Sequence, residues 1–178
     1  MSYQPFDAVK KALFFAEDAH KGQKRKYTGE NYIVHPIAVS KIVASVTSDP
    51  AMIAAALLHD VVEDTSINLS EIQDEFGPEI ANLVDWLTDI SCPSDGNRKT
   101  RKALDRERLS HAPADVQTIK LADLIDNSDS IIKHDPNFAV IYMKEKTKLL
   151  EVLTKGDSTL FKKAKNIVFT YYSIVSKV

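Results

Sequence analysis

The stretch Pro50-Ala-Met-Ile-Ala-Ala-Ala-Leu-Leu-His-Asp-Val-Val-Glu-Asp-Thr65 restricts this chain more than any other. From Ala51 to Leu58 it is apolar on every side, the pattern of a helix enclosed by other helices. Pro50 suits a first helical turn, where no N–H is required, and Asp49 before it can cap. Such a helix should stay apolar to its end, yet this one runs into His59, Asp60, Glu63 and Asp64. Burying charge is costly unless the charge is paired or binds a metal. His59 and Glu63 are four apart, as are Asp60 and Asp64, so each pair shares a face if the helix continues.

Helical periodicity recurs along the chain. Phe6, Val9, Ala12, Leu13, Ala16 and Ala19 mark a helix to His20, with Gly22 as a stop. A second helix spans Pro36 to Val46, with His35 immediately before it. Leu69 to Phe76 reads as a short helix stopped by Gly77-Pro78, and Pro78 can open the next, striped by Ile80, Leu83, Val84 and Leu87. Ser91 to Asn97 is a loop, and the strongly charged Arg98 to Arg108 reads as a surface helix or a mobile segment; Ser91 to Arg108 is compatible with a lid, with a solvated helix the commoner explanation. Ala114 to Ile132, Phe138 to Leu153 and Ser158 to Val175 complete the set. No segment alternates as a strand would. At 178 residues the expectation is one all-α domain of seven to nine helices, 1–178. Its motif-bearing core runs from about 16 to 130, and C-terminal helices occupy 136–176.

A net charge of −2 gives no global attraction to nucleic acid or to an anionic membrane. The lone Cys92 excludes an internal disulfide framework and fits a reducing compartment. Met1 to Phe15 carries Asp7, Lys10 and Lys11, unlike a secretory signal, and the longest uncharged apolar run is far too short to span a bilayer. The expectation is a cytoplasmic protein whose partner is a small molecule.

His35, the His59-Asp60 pair and a carboxylate on the Ala114–Ile132 helix together offer a mixed nitrogen and oxygen ligand set. It suits Mn²⁺, Fe²⁺ or Zn²⁺. On that last helix Asp123, Asp126 and Asp129 all compete for the role. The loop Lys21-Gly-Gln-Lys-Arg-Lys-Tyr-Thr-Gly-Glu-Asn31 is basic in its first half; it is either a solvated turn or a phosphate contact.

Four strings carry a resemblance: Gly22-Gln-Lys-Arg-Lys26, Gly29-Glu-Asn-Tyr-Ile-Val-His-Pro36, Ala56-Leu-Leu-His-Asp-Val-Val-Glu-Asp-Thr65, and Ile119-Lys-Leu-Ala-Asp123 with Asn127. The chain resembles the HD phosphohydrolase superfamily, and within it the RelA/SpoT-type alarmone hydrolases, in particular their small stand-alone members. The similarity runs from about Ala16 to about Asp129. It implies that His35, His59, Asp60 and Asp123 hold one Mn²⁺ ion, and that Glu63 and Asp64 orient or deprotonate the attacking water. It also implies that Arg25 and Lys26 meet the nucleotide, that Thr28 takes a position where relatives often have Ser, and that Asn127 and Ser130 contact the ribose and its 3′ phosphate side. Tyr142 matches an aromatic of the small members, or simply packs between helices.

The activity so implied is removal of the 3′-pyrophosphate from guanosine tetra- or pentaphosphate. Many relatives have a basic residue after the motif Asn, where this chain has Ser128-Asp129. That departure keeps open an HD phosphohydrolase acting on another phosphorylated nucleotide such as NADPH. A non-catalytic metal or nucleotide sensor is a third reading, against which the complete set of metal and acid residues argues. Lys120, Lys133, Lys144 and Lys146 are the cations available to replace the missing one. The end at Val178 leads to the expectation that the synthetase and regulatory domains of long members are absent.

Overall fold

In the computed structural model, residues 5–176 are described, with side chains from Asp7 onward; the side chain of Phe6, counted above in the first apolar stripe, lies outside the described residues. Contacts cluster in two compact units that divide between Asp89 and Ile90. Among the described residues every regular element is helical, and one isolated antiparallel bridge links Lys24 to Asn31. The all-α expectation holds.

The first unit contains α1 (Pro5–Ala19), α2 (Val34–Ala44), α3 (Pro50–Leu58), α4 (Val61–Asp64) and α5 (Leu69–Leu87). α3 packs against α1, α2 and α5. Its Ala54, Ala55, Ala56 and Leu58 are wholly buried, because small side chains let three neighbours approach one helix closely. Asp49 caps it as expected, accepting from the Ala51 N–H at 2.8 Å. α2 starts two residues earlier than the periodicity suggested, so His35 lies inside its first turn. Val34 N–H donates to Asn31 O and His35 N–H to Tyr32 O, and Pro36 follows where no donor is needed. α5 is two helices joined at Gly77, whose φ of 82° is open to glycine and strained for other residues. The predicted stop at Gly77-Pro78 is therefore a bend.

The second unit contains a short 3₁₀ turn at Pro93–Asp95 and four helices: α6 (Arg98–His111), α7 (Ala114–His134), α8 (Pro136–Leu150) and α9 (Ser158–Val175). α7, α8 and α9 pack pairwise, and the wholly buried Val116, Ile119, Leu121, Ala122 and Leu124 of α7 form the centre. The α8–α9 turn presses on α7 at Gly156, where an added Cβ would meet Leu121 Cδ1 at 2.7 Å. Gln117 of α7 holds that turn, accepting from Lys155 N–H at 2.8 Å and donating to Leu109 O at 2.9 Å. No helix among the described residues is long and apolar enough to cross a membrane.

Candidate metal centre

α3 does not run on through its polar end. Asp60, at φ −99° and ψ −5°, turns the chain, and α4 begins anew at Val61. Asp60 and Asp64 keep a helical relation, since Asp64 N–H donates to Asp60 O at 2.9 Å. The buried His59 is pinned by Nδ1, which lies 2.9 Å from Ala56 O. A carbonyl can only accept, so Nδ1 carries a hydrogen and Nε2 of the neutral ring presents a lone pair.

The Asp60 carboxylate faces this nitrogen. Its Oδ2 stands 3.1 Å from His59 Nε2 and 3.5 Å from Nε2 of the buried His35. The two imidazoles meet edge to face with centroids 5.1 Å apart. An imidazole lone pair and a carboxylate oxygen repel at such a distance unless a positive species lies between them, either a proton on the ring or a metal cation. Two imidazole nitrogens with a carboxylate oxygen suit a borderline divalent ion, so these residues fit the implied metal.

Tyr32 completes this cluster, and sequence reasoning did not select it. Its hydroxyl donates to Asp60 Oδ2 at 2.7 Å and lies 3.0 Å from Asp64 Oδ2. The ring packs on the buried His20, centroids 4.7 Å apart, and meets His35 edge-on at 6.0 Å. Its place in the string Gly29–Pro36, three residues before a candidate ligand across a tight turn, was the available signal. Burial, then Asp60, hold the phenol well above its usual range. Burial, then the Asp60 charge, raise the Asp64 carboxyl above the ordinary carboxylate range, opposed by the Tyr32 hydrogen bond. Gln23 secures the Asp64 backbone, donating to its carbonyl at 2.6 Å. Glu63 is exposed and accepts from the Asp89 N–H through Oε1.

The basic loop is folded back on itself, with Arg25 N–H on Glu30 O at 2.8 Å. The Arg25 guanidinium lies 5.8 Å from the centre of the Tyr32 ring, beside the cluster. Lys26 turns outward over Tyr27, and Thr28 is exposed. The structure thus ties Arg25 to the His–Asp cluster through Tyr32, while Lys26 and Thr28 face solvent.

In the second unit, burial separates the three α7 aspartates. Asp123 is buried, Asp126 half-buried and Asp129 exposed. Asp123 Oδ1 accepts from Asn127 Nδ2 at 2.6 Å, and its Oδ2 lies 3.2 Å from Lys120 Nζ. Asn127, assigned to the ribose by resemblance, therefore orients Asp123 as well. Ser128 is wholly buried with its hydroxyl on Leu124 O, so it is a packing position; Ser130 is half-buried. Tyr142 is buried, and burial followed by the Asp123 charge raises its phenol far above the ordinary range. Lys146 Nζ lies 4.7 Å over the Tyr142 ring, and burial lowers its ammonium to about 8. Of the four lysines considered above, Lys120 and Lys146 thus stand near Asp123, while Lys133 and Lys144 are exposed.

Sequence reasoning also passed over Asp105, a buried acid in the charged α6. Its carboxylate accepts from Ser91 N–H at 3.0 Å and Ser91 Oγ at 2.9 Å, and Arg98 is clamped to Glu145 by bonds of 2.8 and 2.9 Å.

Comparison with known proteins adds to this geometry. Over 126 residues, 69% of this chain, 41% are identical to a protein of Synechocystis sp. named probable guanosine-3′,5′-bis(diphosphate) 3′-pyrophosphohydrolase. A Streptomyces coelicolor protein named GTP pyrophosphokinase is 38% identical over 120 residues, 67% of this chain. The chain spans only 16% and 14% of the lengths of these two curated relatives. A solved structure, described as a metazoan ortholog of SpoT that hydrolyzes ppGpp and plays a role in starvation responses, superposes with a TM-score of 0.85. It is 28% identical, over 96% of this chain and 98% of that one. Residues 12–151, which include His35, the His59-Asp60 pair and Asp123, match the HD domain, and the chain belongs to that family.

Proposed function

We propose that this chain is a divalent-metal-dependent hydrolase that removes the 3′-pyrophosphate from guanosine tetra- or pentaphosphate, giving GDP or GTP and pyrophosphate. The observation that carries the reading is the approach of Asp60 Oδ2 to Nε2 of both His59 and His35, at 3.1 and 3.5 Å. The printed names of the curated relatives and of the solved structure supply the substrate class.

His35, His59, Asp60 and Asp123 would hold the ion, with Mn²⁺ as the ion of choice and Fe²⁺ or Zn²⁺ as alternatives. When bound, a divalent ion supplies positive charge at the phosphate and lowers the pKa of a water. Asp64 and Glu63 accept the proton and orient the water. Burial and the Asp60 charge raise the Asp64 carboxyl, which favours its taking a proton, and Glu63 hydrogen-bonds the Asp89 backbone. Arg25 presents a planar cation beside Tyr32, suited to stacking on a guanine base. Lys26, Thr28, Asn127, Ser130 and Tyr142 line the nucleotide side in this reading. The protein acts in the cytoplasm on a free nucleotide, with no nucleic acid or membrane as partner.

A second reading, hydrolysis of another phosphorylated nucleotide such as NADPH, is favoured by one feature. Where the family resemblance implies a basic residue in many members, after Asn127, Ser128 is a buried packing residue and Asp129 an exposed acid.

The deciding assay is release of pyrophosphate from guanosine tetraphosphate with added Mn²⁺, beside Asp60→Ala as control. Mn²⁺-dependent GDP and pyrophosphate, lost in the control, are expected. Metal binding without either product would move the protein to the second reading.

A further inference from the structure

Tyr32 reaches two carboxylates with one hydroxyl, at 2.7 Å from Asp60 Oδ2 and 3.0 Å from Asp64 Oδ2. A phenol has a single hydrogen, so it serves one acceptor fully at a time. The ring has little freedom to choose between them by moving. It lies on His20 with centroids 4.7 Å apart and an interplanar angle of 36°, and against the edge of His35 at 6.0 Å and 74°. Its backbone is fixed on both sides, by its own N–H on Gln23 O at 3.1 Å and by the His35 N–H on its carbonyl at 3.0 Å. Gln23 in turn lies 2.9 Å from His20 Nδ1 and donates to the Asp64 carbonyl at 2.6 Å. The hydroxyl is thus held at one point by the end of α1, the basic loop and the α3–α4 turn.

The arrangement distributes one hydrogen between two acids with different tasks. In this structure Asp60 Oδ2 takes the phenol hydrogen, at the shorter of the two distances. With Asp60 neutralised by a cation, the same hydrogen goes to Asp64 and fixes that carboxyl beside the site. We propose that Tyr32 is a positioning residue whose shared hydroxyl sets Asp60 for a divalent cation and Asp64 for the attacking water. The proposal rests on the metal-dependent reading above.

Tyr32→Phe keeps the ring and its packing on His20 and removes the hydroxyl alone. The full chain is titrated with Mn²⁺ by calorimetry, and kcat and KM are then measured at saturating Mn²⁺. Hydrogen-bond partners of metal ligands typically carry roughly 10–100-fold in affinity or activity. The Phe variant is expected to bind Mn²⁺ about 10-fold more weakly or worse, with lowered kcat at saturating metal and an unchanged KM. Thermal unfolding of the metal-free proteins, expected to remain cooperative and to fall by no more than one lost hydrogen bond accounts for, separates this from a general loss of structure. Equal Mn²⁺ affinity in the Phe variant and the wild type overturns the proposal while leaving the hydrolase reading intact. A wild type that binds no Mn²⁺ removes that reading, and the proposal with it.

Discussion

Asp60 and Asp123 are cast in the same role, yet their two regions of the molecule give them different kinds of partner. Asp60, in the first unit, faces two imidazoles and a phenol, none of which carries a permanent positive charge. Asp123, in the second, has a lysine ammonium 3.2 Å from one oxygen and an amide on the other. Composition follows the same division. Residues up to Asp89 include twice as many acids as bases, whereas those after it include more bases than acids, so a net charge of −2 conceals two unlike halves. The difference teaches that a motif can name two aspartates alike and still describe two situations. The first is set among titratable rings and a hydroxyl, and the second has a lysine ammonium on its carboxylate.

The largest test of that contrast is Asp60→Ala, which should abolish tight Mn²⁺ binding by equilibrium dialysis together with turnover. Retained binding would erase the distinction between the two acids. Next comes Glu63→Gln, expected to leave Mn²⁺ bound and to slow hydrolysis by roughly 10²–10⁴-fold if Glu63 handles the proton. An undiminished rate assigns that work to Asp64. Arg25→Ala should raise KM by up to about 10-fold with kcat little changed, as for lost stacking of a cation on a ring. A pure kcat effect would instead tie Arg25 to the Tyr32 cluster. The smallest effect sharpens the other half of the comparison. Lys120→Met removes the counterion of a buried carboxylate, so the metal-free protein should melt lower while Mn²⁺ binds about 2–5-fold tighter, the scale of one released ion pair. Unchanged Mn²⁺ affinity would mean that Lys120 and the ion do not compete for Asp123.

Most of the helices could be read from periodicity and punctuation. The enclosed α3 followed from eight apolar residues in a row, its cap from Asp49 before Pro50, and a break at Gly77-Pro78 that the structure makes a bend rather than a stop. His35, His59 and Asp60 stood out because polar residues beside an apolar helix demand partners. Other features escaped because they depend on atoms distant in sequence. Asp105 looks like any acid of a charged helix until its two bonds to Ser91 are seen. Asp123, Asp126 and Asp129 have the same spacing signal, and only burial ranks them.

The linear chain therefore sufficed for the helical class and for the chemical types gathered near the end of α3, since apolar period and the cost of buried charge are local properties of a string. Folding alone settled that a tyrosine hydroxyl joins Asp60 to Asp64 and that a lysine sits on Asp123. Those outcomes depend on distances of about 3 Å between side chains, where hydrogen bonding and charge act and sequence spacing carries no information.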